Sequence, residues 1–251
     1  MKIDANDRVR SLLVVLATIA TIVFNWIAAA GYVNNVTPQE VSARYETLVT
    51  PAGYAFSIWS LIYAGLVAFS LFQLSSRNLE RFRAVRSAYI LSCALNCAWV
   101  YFWHHDQIAI CLALIFCLLA TVAYINAKLP MGGSAIESLL TRGPFGIYLG
   151  WLSAASLVNL AILLRHWNVD LGSGETAFAV VLILLAATLG VVFRAWLQNY
   201  FAPLAIAWAL TAIAIRQSGH TAIVTAAAFG VIACLIASLS FIMNLKGTND
   251  E

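Results

Sequence analysis

Residues 107–127 read QIAICLALIFCLLATVAYINA, and no charged residue interrupts them. At 1.5 Å rise per residue, a helix of that length covers about 31 Å, the thickness of a bilayer's hydrocarbon core. A strand of a membrane barrel would instead alternate over about ten residues. The stretch therefore reads as a transmembrane helix, and the pattern recurs. Comparable runs lie at 11–33, 53–74, 87–103, 144–164, 176–193, 199–215 and 221–245, making eight in all. Composition agrees, since 62% of the 251 residues are hydrophobic and 10% are charged, against roughly 25% charged in soluble domains. A soluble enzyme and a disordered chain are both excluded. The expected fold class is all-α, a polytopic membrane bundle of about eight transmembrane helices, with the lipid bilayer as its first partner. Pro51, Pro144 and Pro203 fall at or just before the first turns of their runs, where a missing N–H costs least.

Lys and Arg set the orientation, because positively charged loops stay on the cytoplasmic side. Starting inside, Lys2, Arg8, Arg10, Arg77, Arg81, Arg83, Arg86, Lys128, Arg142, Arg194 and Lys246 fall in the cytoplasm, eleven of the fourteen. Arg44, Arg165 and Arg216 fall outside. The expectation is a multi-pass protein of the bacterial inner membrane with both termini cytoplasmic. A rival reading takes the chain to Ala30 as a signal peptide cleaved at Ala28-Ala29-Ala30, leaving seven helices; the first run is long enough to span, which favours the membrane helix. The net charge of +3 follows the membrane rather than forming a stripe for nucleic acid, so no nucleic-acid partner is expected.

The acidic residues, Asp4, Asp7, Asp250 and Glu251 among them, all lie in loops or tails, and the basic ones lie in loops, tails or at span ends. Proton relays and ion-coupled carriers need a titrating or pairing group within the membrane, so ion coupling is disfavoured. Asn25, Asn96, Asn159, Tyr63 and Thr188 supply neutral polarity inside the runs, each able to bond a neighbouring helix for about 1 kcal/mol. Cys93, Cys97, Cys111, Cys117 and Cys234 lie in apolar runs and read as small core residues, with no carboxylate or His beside Cys93 and Cys97 to suggest a metal. His104, His105, His166 and His220 map to the outer boundary, next to Asp106, Trp167 and Arg216. Interfacial side chains are the plainer reading there; a metal, haem or pH-sensing role is the other.

Aromatic stripes carry the positive signal. Phe56, Trp59 and Tyr63 are spaced i, i+3, i+7 on the second run, and Asn96, Trp99 and Trp103 repeat the spacing on the third. Trp151, Ala155 and Asn159 form an i, i+4, i+8 stripe on the fifth. Beside it runs Gly146, Gly150 and Ala154, a small-xxx-small seam suited to close helix approach and to a homodimer contact. From the presumed outer helix ends, Trp59, Trp99 and Asn159 lie about 12, 8 and 9 Å deep, in one slab. Rings at helical spacing are commonly packing residues. A charge-free slab of rings and amides also suits a flat apolar small molecule held by stacking and one or two hydrogen bonds.

At these residues the sequence resembles the translocator protein or tryptophan-rich sensory protein (TspO/MBR) family. Pro51-Ala52-Gly53-Tyr54-Ala55-Phe56, followed by Trp59 and Tyr63, is similar to the family's Pro-x-Gly-Trp-x-Phe and Trp-x-x-x-Tyr. Leu95-Asn96-Cys97-Ala98-Trp99 matches Leu-Asn-x-x-Trp, and Trp151 through Ala155 to Asn159 matches Trp-x-x-x-Ala with its later Asn. Two departures stand out: Gly53 to Trp59 is one residue shorter than usual, and Tyr54 replaces a Trp. The resemblance covers residues 11–166 as a five-helix bundle. It implies an extended member, with 1–10 as a cytoplasmic segment and 167–251 as a three-helix extension joined through Gly172, Ser173 and Gly174.

The resemblance further implies binding of a porphyrin or sterol-like ligand, haem included, under a loop here spanning Asn34 to Thr50. It supplies no required cofactor and no metal. Porphyrin breakdown enters by family analogy alone, since no catalytic constellation is visible and the reading is non-enzymatic. The expected ligand-binding residues are Phe56, Trp59, Tyr63, Asn96, Trp99, Trp151, Ala155 and Asn159. A binder or sensor leads, ahead of a facilitative carrier for a hydrophobic molecule and a structural assembly subunit. Because every stripe lies before residue 167, a chain ending near Asn168 is expected to keep its ligand affinity.

Overall fold

Apolar runs in lipid satisfy their backbone polar groups internally, which a helix alone achieves within one segment. The computed structural model bears this out and describes residues 5–75, 77–131 and 134–247. Lys2, Asp4, Asp250 and Glu251 of the charge pattern, and the side chain of Lys246, lie outside the described residues. Helices α1 (Ala5–Ala29), α3 (Ile58–Phe72), α4 (Arg83–His104), α5 (Ile108–Lys128), α7 (Arg142–His166), α8 (Glu175–Trp196), α9 (Phe201–Arg216) and α10 (Thr221–Gly247) correspond to the eight expected runs. Two short helices, α2 (Pro38–Arg44) and α6 (Ala135–Leu140), join them, and no strand occurs among the described residues.

Among the described residues, six stretches are long and apolar enough to cross a membrane, so the chain is a multi-pass helical membrane protein. The other two runs fall short of that standard for different reasons. At 16 residues, α9 reaches only about 24 Å. Polar residues, including Arg83, Arg86, Ser92, Asn96 and His104, dilute the 22-residue α4. Helix ends also differ from the run ends. The first helix stops at Ala29, before Gly31 at φ 80° and Asn34 and Asn35 at φ 54° and 52°, so residues 30–33 belong to a turn.

The backbone packing divides the chain into two compact units, each described by itself: residues 1–45 with 59–145, and residues 46–58 with 146–251. In the first unit, Phe69, Phe82, Tyr89 and Phe145 form a ring cluster with centroids 4.8 to 5.8 Å apart. Thr18 ties α1 to the Tyr89 hydroxyl at 2.6 Å and to Ser70 at 2.6 Å. At the α4 N-terminus a guanidinium is fully buried. Arg86 Nε donates to Gln73 Oε1 at 2.8 Å and Nη2 to the Asn78 carbonyl at 3.3 Å, while Nη1 lies 3.5 Å from Asp7 Oδ1. Asp7 also pairs with Arg83, so α1, the α3 end and α4 are fastened at one point. Burial of an ion this complete is tolerated only with such full partnering.

In the second unit, Leu157 and Ala161 of α7, Leu182 and Ile183 of α8, Ile206 and Leu210 of α9, and Ala227 and Cys234 of α10 share one core. Asn199 Oδ1 accepts the backbone N–H of Phe201 at 2.9 Å and of Ala202 at 3.2 Å, capping α9. Gly146 packs directly on that cap, where an added Cβ would overlap the Asn199 carboxamide. Gly150 sits against Ala202 and Ala205, with the Ala205 Cβ 3.0 Å from where its own Cβ would be. The seam expected to mediate a homodimer is thus filled within the chain, by α9 and its cap. Cys93, Cys111 and Cys234 are buried as expected of core residues, but Cys117 is exposed on α5.

Candidate functional site

Two of the three expected stripes place rings as helical spacing dictates. In the first unit, Trp59 and Tyr63 stack with centroids 5.4 Å apart and planes 21° from parallel. Trp99 and Trp103 stack at 5.0 Å and 19°. Both are i, i+4 pairs, the separation at which side chains of a helix lie over one another. Asn96, 1% exposed, accepts a 2.8 Å hydrogen bond through Oδ1 from the Asn25 carboxamide, linking α4 to α1.

Phe56 departs from its expected stripe. It lies in a 3₁₀ turn, Gly53–Ser57, and the α-helix begins only at Ile58. A 3₁₀ helix winds about 120° per residue against about 100° for an α-helix, so five residues gain about 100° of turn. That is one residue's worth, and it offsets the shortened interval between Gly53 and Trp59. Phe56 belongs to the second unit, where its ring meets Trp151 edge-on at 6.1 Å and 74°. Trp151 is 4% exposed and Ala155 is partly buried; Asn159 Nδ2 donates to the Ala155 carbonyl at 2.9 Å. The expected residues thus fall into two sets, Trp59, Tyr63, Asn96 and Trp99 in one unit and Phe56, Trp151, Ala155 and Asn159 in the other.

The stretch expected as an open loop from Asn34 to Thr50 contains α2. Thr37 and Glu40 form a capping box, with Thr37 N–H donating to Glu40 Oε2 at 2.7 Å and Pro38 at the first helical position. The same bonds hold the Glu40 carboxyl below its ordinary range. Within the first unit, Trp103 Nε1 donates to the Pro38 carbonyl at 3.1 Å and Asn34 Nδ2 to the His104 carbonyl at 2.7 Å. Arg44 pairs with Asp106 at 2.6 Å. Desolvation, helped by Asp106, raises the Tyr45 phenol above its usual value.

One ring escaped the sequence reading. Trp208 of α9 donates through Nε1 to the Ala55 carbonyl at 3.1 Å and meets Tyr54 edge-on at 5.2 Å. Nearby, Ala52 N–H donates to the Ala212 carbonyl at 3.0 Å, Gln217 Nε2 to the Thr47 carbonyl at 3.0 Å, and Arg216 pairs with Glu46. Residues 46–55, which lead into the turn carrying Phe56, are therefore clasped along α9. The only sequence signal was a lone aromatic between Ala202 and Arg216.

His104 is buried, its Nδ1 2.7 Å from the Val100 carbonyl, and His105 stacks on Tyr101 at 4.3 Å. Among the described residues, no three His, Cys, Asp or Glu side chains come together as a metal set. A family model described as TSPO-like protein matches residues 11–241, continuing past residue 166, where the motif resemblance stops. No curated protein and no solved structure matches the chain.

Proposed function

The chain belongs to the TSPO-like protein family, and from that premise we propose that it is a non-catalytic membrane binder or sensor of a flat apolar ligand, a tetrapyrrole or sterol-like molecule. The observation that carries the reading is the pair of near-parallel stacks, Trp59 on Tyr63 and Trp99 on Trp103. An aromatic face already stacked can be continued by a third flat ring system, at about 0.5–1.5 kcal/mol per ring contact. Asn96 in the first unit and Asn159 in the second are neutral amides, the kind of polarity that suits a ligand that partitions into lipid. Phe56 and Trp151 form a separate edge-on pair within the second unit. The binder is preferred to an assembly subunit because Gly146 and Gly150 pack on Asn199 and Ala202 of the same chain. Both termini are proposed to lie in the cytoplasm of a bacterial cell, on the Lys and Arg bias.

The test is a titration of detergent-purified protein with protoporphyrin, haem and a sterol, followed by tryptophan fluorescence. A tetrapyrrole is expected to quench saturably. Trp59→Leu and Trp99→Leu are expected to lower affinity by about 1 kcal/mol each, roughly fivefold, with the fold kept. Saturable binding by none of the three, or folded variants that bind like the parent, would overturn the proposal.

A further inference from the structure

The second unit contains a cavity of about 240 Å³ that is lined by none of Phe56, Trp59, Tyr63, Trp99 and Trp151. Its walls are residues 47–49, the C-terminal turns of α7, the 168–171 connection and the first turns of α8. The floor is apolar, with Leu48, Val49, Ala161, Leu164, Phe178 and Ala179; Val49, Ala161 and Ala179 are at most 6% exposed. One cation and two anions share the same lining: Arg165, Asp170 and Glu175.

Each charge has a local helical rationale. Arg165 lies in the last turn of α7 and Glu175 in the first turn of α8, the signs that helix dipoles favour. Asp170 Oδ1 accepts the Gly172 N–H at 2.8 Å and shapes the turn between them. Asp170 keeps its second carboxylate oxygen beyond that bond, and none of the three residues makes an ion pair among the described residues. On the neighbouring wall the opposite charges Glu46 and Arg216 do pair, and Thr47 is held by Gln217, so the wall is fixed without recruiting them.

We propose that this cavity binds the zwitterionic phosphoethanolamine head of a membrane phospholipid. The guanidinium receives the phosphate, the two carboxylates take the ammonium, and the apolar floor takes the glycerol and the first methylenes of the chains. An ammonium with N–H donors satisfies a carboxylate as a trimethylated one does not. The cavity sits where two long apolar helices end, and Arg165, His166 and Trp167 are of the residue types that mark a membrane–water boundary, so headgroups are the molecules at hand. A purely anionic head would use Arg165 and meet repulsion from Asp170 and Glu175, which argues for ethanolamine over glycerol as the head.

Native mass spectrometry of the full chain, exchanged in turn into phosphatidylethanolamine, phosphatidylcholine and phosphatidylglycerol of matched acyl chains, tests this. Retention of phosphatidylethanolamine above the other two is expected. The exposed variants Arg165→Gln and Glu175→Gln should each reduce it about three- to fivefold, the range for partly solvated ion pairs. Circular dichroism melting shows whether each variant is folded, and Asp170→Asn provides a second neutralisation of the ammonium side. Equal retention of all three lipids, phosphatidylglycerol retained at least as well, or folded variants indistinguishable from the parent would overturn the assignment. So would displacement of the lipid by soluble phosphoethanolamine or an apolar amino acid at comparable concentration, which would make the occupant a water-soluble zwitterion.

Discussion

Replacing Trp208 with Phe removes one N–H and keeps a ring of similar outline. The lost bond is the 3.1 Å contact to the Ala55 carbonyl, worth about 1 kcal/mol net. That carbonyl still receives the Ile58 N–H, so no buried acceptor is orphaned and the larger desolvation penalty does not apply. The edge-on contact with Tyr54 persists with a Phe ring. Thermal stability should therefore fall by about 1 kcal/mol, a shift on the order of 2–4 °C for a chain of this size. Protoporphyrin affinity should fall as well, because the turn bearing Phe56 loses one of its fastenings to α9. The loss cannot exceed what Phe56 itself contributes, about 0.5–1.5 kcal/mol, or roughly two- to twelvefold. A double-mutant cycle with Phe56→Leu, read by the porphyrin absorption band, separates positioning from general softening. If Trp208 acts through Phe56, the double variant binds like Phe56→Leu alone. Additive losses, or a lower melting temperature with unchanged affinity, would refute the reasoning.

Two further outcomes follow from the same geometry. With a cysteine placed at the exposed Ala43 of α2, a membrane-impermeant thiol reagent should label intact cells from the outside once the native cysteines are replaced; labelling from the cytoplasmic side only would reverse the topology. A chain ending near Asn168, expected from sequence to keep its affinity, should instead fail. It loses the Ala52–Ala212, Trp208–Ala55 and Gln217–Thr47 hydrogen bonds, together about 3 kcal/mol, and uncovers Leu157 and Ala161 of the shared core. Size-exclusion profiles and porphyrin titration check this, and a monodisperse truncated chain with parental affinity would show that α8 to α10 are dispensable.

Helix existence was legible because a lipid-exposed segment leaves a one-dimensional trace: an uncharged run long enough to span. Helix ends were less so, since Ala29 is followed by residues whose apolarity continues while their backbone turns, at Gly31 and Asn34. The α2 capping box is written in Thr37, Pro38 and Glu40, but the helix that it starts is only seven residues long and leaves no apolar run. No such local signal announces the 3₁₀ turn at Gly53–Ser57. Its residues are held from outside, by Ala212 and by Trp208, whose hydrogen bond reaches 153 residues back along the chain. Burial of Arg86 is similarly non-local, needing Gln73, Asn78 and Asp7 together.

The Gly146–Gly150 seam marks where this kind of reading stops. Small residues every fourth position state that another segment comes close, and here the Ala202 backbone and the Ala205 Cβ approach Gly150 while the Asn199 side chain approaches Gly146. They do not state whose backbone it is. A helix from the same chain and a helix from a second copy impose the same steric demand on glycine, so the periodicity alone is silent between folding and assembly. What separates them is occupancy: the Asn199 carboxamide, which accepts the Phe201 and Ala202 N–H groups, lies over Gly146, and Ala202 and Ala205 lie over Gly150. A backbone from a second copy could reach Gly146 and Gly150 only by displacing Asn199, Ala202 and Ala205 of the same chain. Two of the three seam positions, Gly146 and Gly150, therefore make their close approach within the chain.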